Sequence, residues 1–470
     1  MRSLLWIVLA AAGLLLPGSP SPHQVSETAA ASRSNILVIM TDDQRLDDQR
    51  VLARTRALLA ARGTTFDNSF VSYALCCPSR ATFLTGQYPH NHGVLANSGP
   101  NGGYSRLDSS NTVAVWLQEA GYYTAHVGKY LNGYGTASPE PPAGWARWFG
   151  LIDPSTYKYF GYSVSADGVP VTYGDSAADY QTDVLAAEAE RIIRSRAGSD
   201  RPFFLSVAPL APHLERIGGQ SFPPRPAPRH EDAFADEPLP ATPAFDEPDV
   251  SDKPAHIRRL TPLAPAKENR ALANHRGRLA SLLAVDEMVE RLVEALAETG
   301  QLDRTVIIFT SDNGFFLGEH RIPDGKYFPY EEAVRVPLIV RGGGFPAGAR
   351  VGPLVSNIDL APTLVALSGA RPRRAMDGRS LLPLALDPRQ GKGRTLLIEG
   401  FNPGRARPSF KAVRDARWLY AEHATGDPEL YDLQTDPHQL RSRHTEPLGI
   451  RKDLARRLAR LRNCAGASCR

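Results

Sequence analysis

The run Cys76-Cys77-Pro78-Ser79-Arg80 combines residue types that suit the chemistry of a tetrahedral oxyanion. A short helical pattern over residues 79–84 follows it, which predicts that Cys76 lies at the N-terminus of a helix. Free backbone N–H groups and the helix dipole favour an anion there. Arg80 adds a fixed cationic fork that matches the oxygens of such an anion. The run therefore predicts an anion-binding site next to Cys76.

Two other interpretations of this run stay open. An isolated cysteine is most often a buried structural residue. A phosphatase-type thiolate is the second alternative, but the cysteine and the arginine of that arrangement are further apart in sequence than Cys76 and Arg80.

Acidic residues follow two of the apolar runs. Asp42 and Asp43 come after residues 36–40, and Asp312 with Asn313 comes after residues 305–310. If both runs are parallel strands, these tips meet at the carboxyl edge of one sheet, where α/β folds bind ligands. Three carboxylates and an amide oxygen form a hard oxygen site suited to Ca²⁺ or Mg²⁺. The alternative is ordinary turn chemistry, since Asp-Asp and Asp-Asn-Gly are common in turns.

The elements that must position these residues alternate between strand and helix. This alternation predicts a mostly parallel sheet with helices on both faces. Strands are predicted at 36–40, 124–127, 203–207, 305–310 and 337–340, and helices at 113–120, 182–196 and 278–298.

Two later segments have a different character. Residues 221–265 contain eleven of the 39 prolines, which predicts an exposed insertion or lid. Residues 377–470 have shorter strand patterns at 395–398, 410–413 and 418–421, which predict a smaller antiparallel domain. That region ends in a basic helix, for which a solvated helix packed on the domain is favoured over a polyanion-binding strip.

Residues 1–22 have the pattern of an export signal, with Arg2 before an apolar stretch over 4–16 and a break at Pro17. Thirteen residues are too few to span a bilayer, which needs about 20; a membrane anchor or a buried helix is the alternative. We therefore expect an extracytoplasmic mature chain without a membrane span. Export makes a disulfide between Cys464 and Cys469 plausible.

The charge balance argues against one class of function. The 470 residues contain 54 Lys and Arg against 50 Asp and Glu, a net charge of only +4. No broad basic field follows from this balance, so we expect no nucleic-acid partner.

In its motifs the sequence resembles the type I sulfatases. The family signature matches Cys76-x-Pro78-Ser79-Arg80 followed by Leu84-Thr85-Gly86, and the resemblance covers about residues 34 to 440. Further motifs stand in family order: Thr41-Asp42-Asp43-Gln44, Gly128-Lys129-Tyr130-Leu131-Asn132, Ala211-Pro212-His213, Thr310-Ser311-Asp312-Asn313-Gly314 and Asp359-Leu360-Ala361-Pro362-Thr363. With Tyr88-Pro89-His90-Asn91-His92, the sequence is most similar to the N-acetylglucosamine-6-sulfatases and the extracellular heparan-type sulfatases.

The resemblance implies an alkaline-phosphatase-like α/β catalytic domain over residues 34–376 and a smaller C-terminal α+β domain over 377–470. It implies that a formylglycine-generating enzyme converts Cys76 to formylglycine, while Cys77 stays a thiol. One hydroxyl of the hydrated aldehyde attacks the sulfur of a sulfate ester, and the second hydroxyl allows the sulfate to leave. The implied substrates are sulfated glycans such as 6-O-sulfated N-acetylglucosamine, with an aryl sulfate as a surrogate.

The resemblance also implies the residues of the site. A calcium ion is held by Asp42, Asp43, Cys76, Asp312 and Asn313. Arg80, Lys129 and Lys326 balance the charge on the sulfate oxygens, and His213 protonates the leaving alkoxide or binds the sulfate.

Some positions stay open. Many arylsulfatases have a histidine where this chain has Leu131, so the base of the last step is undefined, with Asn132 and His90 as candidates. His90 and His92 are either supporting structure or substrate contacts, and His320 is a candidate for the pocket rim. The rival functions are a phosphatase or phosphodiesterase of the same superfamily and a non-catalytic protein that binds sulfated glycans.

Overall fold

A mixed β-sheet forms the centre of the fold. The computed structural model describes residues 33–240, 242–402, 407–447 and 449–470, and within these residues the sheet has ten strands. In spatial order they are Ala349–Val351, Thr64–Phe66, Leu338–Arg341, Thr305–Ser311, Asn35–Thr41, Phe203–Ala208, Tyr123–Gly128, Arg147–Leu151, Ser163–Ala166 and Val169–Thr172. The strands from Thr305–Ser311 to Arg147–Leu151 are all parallel, whereas antiparallel pairs occur toward both ends. The predicted mostly parallel sheet is confirmed.

Strand Asn35–Thr41 shows why helices cover both faces of this sheet. All of its residues are buried, and Val38 packs in one core while Ile39 packs in the other. A strand buried on both faces needs a layer of helices on each side. The helices on the Val38 side are Cys76–Thr85, Val113–Glu119 and Leu360–Ser368. Those on the Ile39 side are Gln181–Ser195 and Pro265–Glu298.

Shorter elements join these layers. The short helices are Ala53–Thr55, Arg56–Ala60, Pro89–His92, Ala255–Arg258, Glu331–Val334 and Leu382–Leu386. Glu215–Ile217 and Gln220–Phe222 form an antiparallel hairpin, and Ser69–Phe70 pairs with Val355–Ser356 in parallel.

The long helix begins earlier than the sequence predicts. It starts at Pro265 instead of Arg278, and proline suits the first turn of a helix because the N–H that it lacks would have no partner there. The added turns bury the small or polar residues Ala271, Asn274 and His275. An apolar periodicity is absent from such a stretch, which is why the pattern alone placed the start too late.

Apart from the short helix Ala255–Arg258 and the end of strand Gln220–Phe222, the proline-rich segment is irregular, as predicted. It is not a freely exposed insertion, however. Val250, Ile257 and Leu263 are buried, and the fully buried Lys253 donates to the Leu440 carbonyl at 2.6 Å. These contacts fix the segment against the rest of the fold, so its predicted exposure is wrong for these residues.

The C-terminal region contains a second sheet. Its four antiparallel strands are Leu396–Gly400, Phe410–Arg414, Trp418–His423 and Pro428–Asp432; the first three were predicted. Helix Gly449–Leu461 buries Leu454, Leu458 and Leu461. Its Arg457 pairs with Asp453 and Asp415, which agrees with a helix packed on the domain. The predicted disulfide between Cys464 and Cys469 is present.

Two predictions about chain organisation stay predictions. The signal sequence assigned to residues 1–22 lies outside the described residues, and nothing in the structure tests the division into 34–376 and 377–470. Among the residues that are described, none of the helices combines the length and the apolar character needed to cross a membrane.

Candidate active site

Cys76 is the first residue of helix Cys76–Thr85, which confirms its predicted place at a helix N-terminus. The helix ends at Gly86, whose φ of 68° is in the left-handed region that glycine tolerates. Cys76 is 1% exposed, and its Sγ lies 3.1 Å from Lys326 Nζ and 3.7 Å from Asp42 Oδ1. The sulfur therefore sits between a helix N-terminus, a lysine and a carboxylate.

The acidic segments Asp42-Asp43 and Asp312-Asn313 lie together at the carboxyl edge of the sheet, as the sequence predicts. Thr41 and Ser311 are register partners in adjacent parallel strands, so the residues after them lie side by side. Asp43 N–H donates to Asp312 Oδ1 at 3.0 Å, and Asn313 Nδ2 donates to Asp43 Oδ1 at 2.6 Å. Asp42, Asp43, Asp312 and Asn313 are all fully buried.

Three cations face these carboxylates. Arg80 Nε donates to Asp312 Oδ2 at 2.9 Å, and Arg80 Nη1 donates to the Lys129 carbonyl at 2.8 Å. The Lys129 ammonium contacts the Asp42 carboxylate, and the Lys326 ammonium contacts that of Asp43. Burial alone makes an isolated charge costly, so the alternation of sign is what permits this cluster.

The cluster changes the pKa of its members. Burial lowers the pKa of Lys129 and of Lys326, but the charges of Asp42 and Asp43 outweigh it and raise both pKa values above the ordinary one. Both lysines therefore stay charged at neutral pH. Burial raises the pKa of the Cys76 thiol to about 11, so the unmodified side chain is a neutral thiol.

His213 lies beside the same carboxylates. Its Nδ1 is 2.7 Å from the Leu214 carbonyl, which fixes the proton on that nitrogen, and its Nε2 is 3.6 Å from Asp43 Oδ2. Burial lowers the pKa of His213 to about 4. The ring is neutral at pH 7, with Nε2 as the unprotonated nitrogen toward the cluster.

The buried oxygens of this cluster fit a hard divalent cation. Asp42, Asp43, Cys76 and His213 each offer a ligand atom, and these atoms all lie within 4.8 Å of one another. Asp43 Oδ2 and Asn313 Oδ1 are buried and have no hydrogen-bond partner among the described residues. Unpaired buried oxygens are costly, and a cation such as Ca²⁺ would satisfy them.

A cavity of about 200 Å³ opens onto this group. Asp43, His213 and Lys326 line it, and so do four residues that the sequence analysis did not select: Asn97, Tyr157, Arg216 and Arg407. None of the four stands in a motif, and only the fold brings them together. Asn132, which the sequence left as a candidate base, also lines the cavity.

The histidines near the signature belong to the supporting structure. His90 Nδ1 is 2.9 Å from the Glu399 carboxylate, and Nε2 is 2.9 Å from the Cys464 carbonyl. His92 Nε2 is 3.1 Å from Thr82 Oγ1. Neither lines the cavity. His320 is fully buried and bonded to Glu247 at 2.7 Å, so its predicted place at the rim is wrong.

A substitution at His90 tests this structural role. Burial lowers the pKa of His90, but the hydrogen bond and charge of Glu399 outweigh it, and the folded pKa is raised above 6.5. The stabilisation is therefore fully present below pH 6.5 and is lost as the pH rises through the folded pKa. We expect His90→Gln to lower the melting temperature at acidic pH and to flatten its fall toward alkaline pH, as measured by thermal unfolding across that range. A large loss of kcat at unchanged stability would contradict the assignment.

Cys77 is the natural control for Cys76. Its Sγ accepts from Asn132 N at 3.0 Å and lies 3.2 Å from Asn132 Oδ1. Burial raises its pKa, so Cys77 remains a thiol. Serine keeps one donor and one acceptor there. We expect Cys77→Ser to retain kcat for an aryl sulfate within about threefold, with a loss of stability of about 1 kcal/mol. If Cys77→Ser were folded but completely inactive, Cys77 and not Cys76 would be assigned as the nucleophile.

The fold and the site together define an alkaline-phosphatase-like α/β protein with a candidate active centre at the carboxyl edge of the sheet. The Sulfatase family model matches residues 34–370, and the model described as N-sulphoglucosamine sulphohydrolase, C-terminal, matches residues 318–464. The chain belongs to the sulfatase family and is a sulfuric ester hydrolase.

Two of its relatives are named as sulfatases, and one of them is named after a glycan substrate. The chain is 32% identical to the N-acetylglucosamine-6-sulfatase of Homo sapiens over 94% of this chain and 87% of that protein. It is 37% identical to the extracellular sulfatase SULF-1 homolog of Drosophila melanogaster, over 77% of this chain but 32% of that longer protein. A solved structure of a protein in complex with its substrate D-glucosamine-2-N,6-O-disulfate matches with a TM-score of 0.78 and 25% identity, covering 91% of this chain and 97% of that one.

Proposed function

We propose that this sulfatase cleaves sulfate esters of glycans, such as 6-O-sulfated N-acetylglucosamine, with a formylglycine made from Cys76 and one calcium ion. The observation that carries the proposal is the position of Cys76, at a helix N-terminus with Lys326 at 3.1 Å and Asp42 at 3.7 Å. The substrate class is supported by the relative named N-acetylglucosamine-6-sulfatase and by the neighbour bound to a sulfated glucosamine.

Two groups would complete the site. Asp42, Asp43, Asp312 and Asn313, with the modified Cys76, would hold the calcium ion, which supplies positive charge to the ester oxygens. Formylglycine, made by a formylglycine-generating enzyme, supplies as its hydrate a nucleophilic hydroxyl and a second hydroxyl that permits sulfate release. A plain cysteine or serine has no second hydroxyl, so it could accept sulfate but not release it by this route.

The chain's own cations bind and orient the sulfate. Arg80 is held by Asp312 and by the Lys129 carbonyl, so its fork needs no rearrangement when the ester binds. Lys129 and Lys326 remain charged at neutral pH because Asp42 and Asp43 raise their pKa values. These three side chains would stabilise the charge that develops on the sulfate oxygens.

His213 is the proposed donor to the leaving oxygen. Its Nδ1 is committed to the Leu214 carbonyl, so Nε2 is the nitrogen that could transfer a proton. Burial lowers the pKa of His213 to about 4, and a donor role therefore needs the negative substrate to favour the protonated ring. Without that proton, Nε2 can only accept a hydrogen bond.

The chain is also proposed to act outside the cytoplasm. The export pattern of residues 1–22 supports this, as does the relative named as an extracellular sulfatase. The proposed partners are the sulfated substrate and, during maturation, the formylglycine-generating enzyme.

A comparison of aryl sulfate with aryl phosphate, with and without a chelator, tests the proposed function against its rivals. We expect aryl sulfate turnover that the chelator abolishes and that added Ca²⁺ restores. Faster hydrolysis of aryl phosphate would favour a phosphatase or phosphodiesterase. A thiolate phosphatase is already disfavoured, since that chemistry needs an ionised cysteine and the pKa of Cys76 is about 11. Tight binding of sulfated glycan without turnover would indicate a non-catalytic protein.

A further inference from the structure

Two arginines at the cavity have no acidic partner in the part of the chain that the structure describes. Arg216 and Arg407 both line it, and both are exposed. Within the described residues, neither forms an ion pair. The acids that line the same cavity are already matched, Asp43 by Lys326 and Asp324 by Arg270 at 3.1 Å. Arg216 and Arg407 therefore leave positive charge at the cavity that no described carboxylate balances.

Arg216 is held in place by the hairpin Glu215–Ile217 and Gln220–Phe222. Arg216 pairs with Ser221 across the two strands, and the buried Glu215 accepts from Tyr159 N at 3.2 Å. The guanidinium lies over the Tyr157 ring, 5.2 Å from its centroid, and Lys129 Nζ lies 4.7 Å from the same centroid. Arg216 and Lys129 of the candidate active site therefore both lie against the ring of Tyr157.

Tyr157 forms a buried part of the cavity wall. Tyr157 is 6% exposed and lines the cavity, and its hydroxyl has no hydrogen-bond partner among the described residues. The hydroxyl itself is buried, so it is the ring that Tyr157 presents to Arg216 and Lys129.

Arg407 approaches from another part of the chain. It lies in the loop before strand Phe410–Arg414, where Ser409 Oγ donates to the Asn402 carbonyl at 2.9 Å. The Arg407 guanidinium lies beside Gly325, the residue that precedes Lys326. A Cβ atom placed on Gly325 would be 3.7 Å from Arg407 Nη2. Arg216 and Arg407 therefore flank the cavity from two separate segments.

We propose that Arg216 and Arg407 bind a second negatively charged group of the substrate, in addition to the sulfate ester that is cleaved. The inference rests on the proposed function. The cations Arg80, Lys129 and Lys326 are paired with carboxylates of the candidate active site, whereas Arg216 and Arg407 have no such partner among the described residues. An arginine side chain also has the forked geometry that binds a sulfate or a carboxylate through two hydrogen bonds. The preferred substrate is then a polyanionic glycan, whose second group is a sulfate or a uronic acid carboxylate.

The test compares four substrates: an aryl sulfate, N-acetylglucosamine 6-sulfate, glucosamine N,6-disulfate, and a uronic acid disaccharide of N-acetylglucosamine 6-sulfate. We expect Arg216→Gln and Arg407→Gln to lower kcat/KM for a doubly charged substrate by about tenfold or more, mainly through KM. The singly charged substrates should change by less than about twofold. Loss confined to the disulfate identifies a sulfate subsite, and loss confined to the disaccharide identifies a carboxylate subsite.

Arg196→Gln is the matched control, because Arg196 also lies over a tyrosine ring, 4.6 Å from the centroid of Tyr123, but does not line the cavity. An equal loss on all four substrates, or no loss on either doubly charged one, would overturn the inference. Calorimetric binding of glucosamine N,6-disulfate to Cys76→Ala, with and without the arginine substitutions, makes the same comparison without turnover. A wild-type protein that hydrolyses none of the four sulfate esters, yet loses disulfate binding when the arginines are replaced, would refute the proposed function and support the subsite.

Discussion

Replacing Cys76 by alanine is expected to lower kcat for an aryl sulfate by about 10⁴-fold or more while the protein stays folded. Cys76 lies at the N-terminus of its helix and contacts both Lys326 and Asp42. No other described cysteine contacts these two residues. Alanine removes the proposed aldehyde precursor and keeps the helix start. Steady-state kinetics and circular dichroism of protein made with a formylglycine-generating enzyme provide the measurement.

The matched control for this variant is Cys77→Ser, one residue along the same helix. Its sulfur contacts Asn132 instead of the carboxylates, so the two variants separate nucleophile chemistry from packing at the helix start. Full activity in Cys76→Ala would refute the proposed mechanism.

Replacing Asp312 by asparagine is expected to lower kcat/KM by about 10²–10³-fold and to weaken Ca²⁺ binding. Asp312 accepts from Arg80 Nε at 2.9 Å and from Asp43 N at 3.0 Å, so it joins a cation of the proposed sulfate site to the loop of the proposed metal ligands. Asparagine has nearly the same shape but no charge. Because a ligand that binds the folded state raises its stability, Ca²⁺ should raise the melting temperature of the wild type and raise that of the variant much less.

Asp324→Asn is the control for this change. Asp324 lines the same cavity but pairs with Arg270 outside the buried cluster, so its loss should change kcat/KM by no more than about threefold. Full activity of Asp312→Asn in the presence of a chelator would show that the metal assignment is wrong.

The strands and helices could be predicted from the sequence where their buried residues are apolar. Strand Asn35–Thr41 is buried on both faces, and such strands form continuous apolar runs that are visible in a sequence. The first turns of helix Pro265–Glu298 were missed because they bury Ala271, Asn274 and His275, which leave no apolar stripe. Strand Pro428–Asp432 was missed as well, since its Glu429 and Asp432 are buried but polar.

Some residues of the candidate site could likewise be predicted from the sequence, and others could not. Asp42, Asp43, Asp312 and Asn313 directly follow two strands, so their convergence could be predicted from where the strands end. Arg216 and Arg407 could not be predicted, because their places depend on the path of a hairpin and of a C-terminal loop. For His320 the prediction was wrong. Its polar side chain was expected at the rim of the pocket, but a hydrogen bond to Glu247 holds it in the interior.

The central claim is that Cys76 carries an aldehyde in the working enzyme. The most direct test is the mass of the proteolytic peptide that contains Cys76, from active protein produced with a formylglycine-generating enzyme and treated with a hydrazine reagent. We predict the hydrazone of formylglycine at position 76 and an unmodified thiol at Cys77, in a proportion that rises with specific activity. A thiol at Cys76 in every molecule of a preparation that hydrolyses sulfate esters would contradict the account.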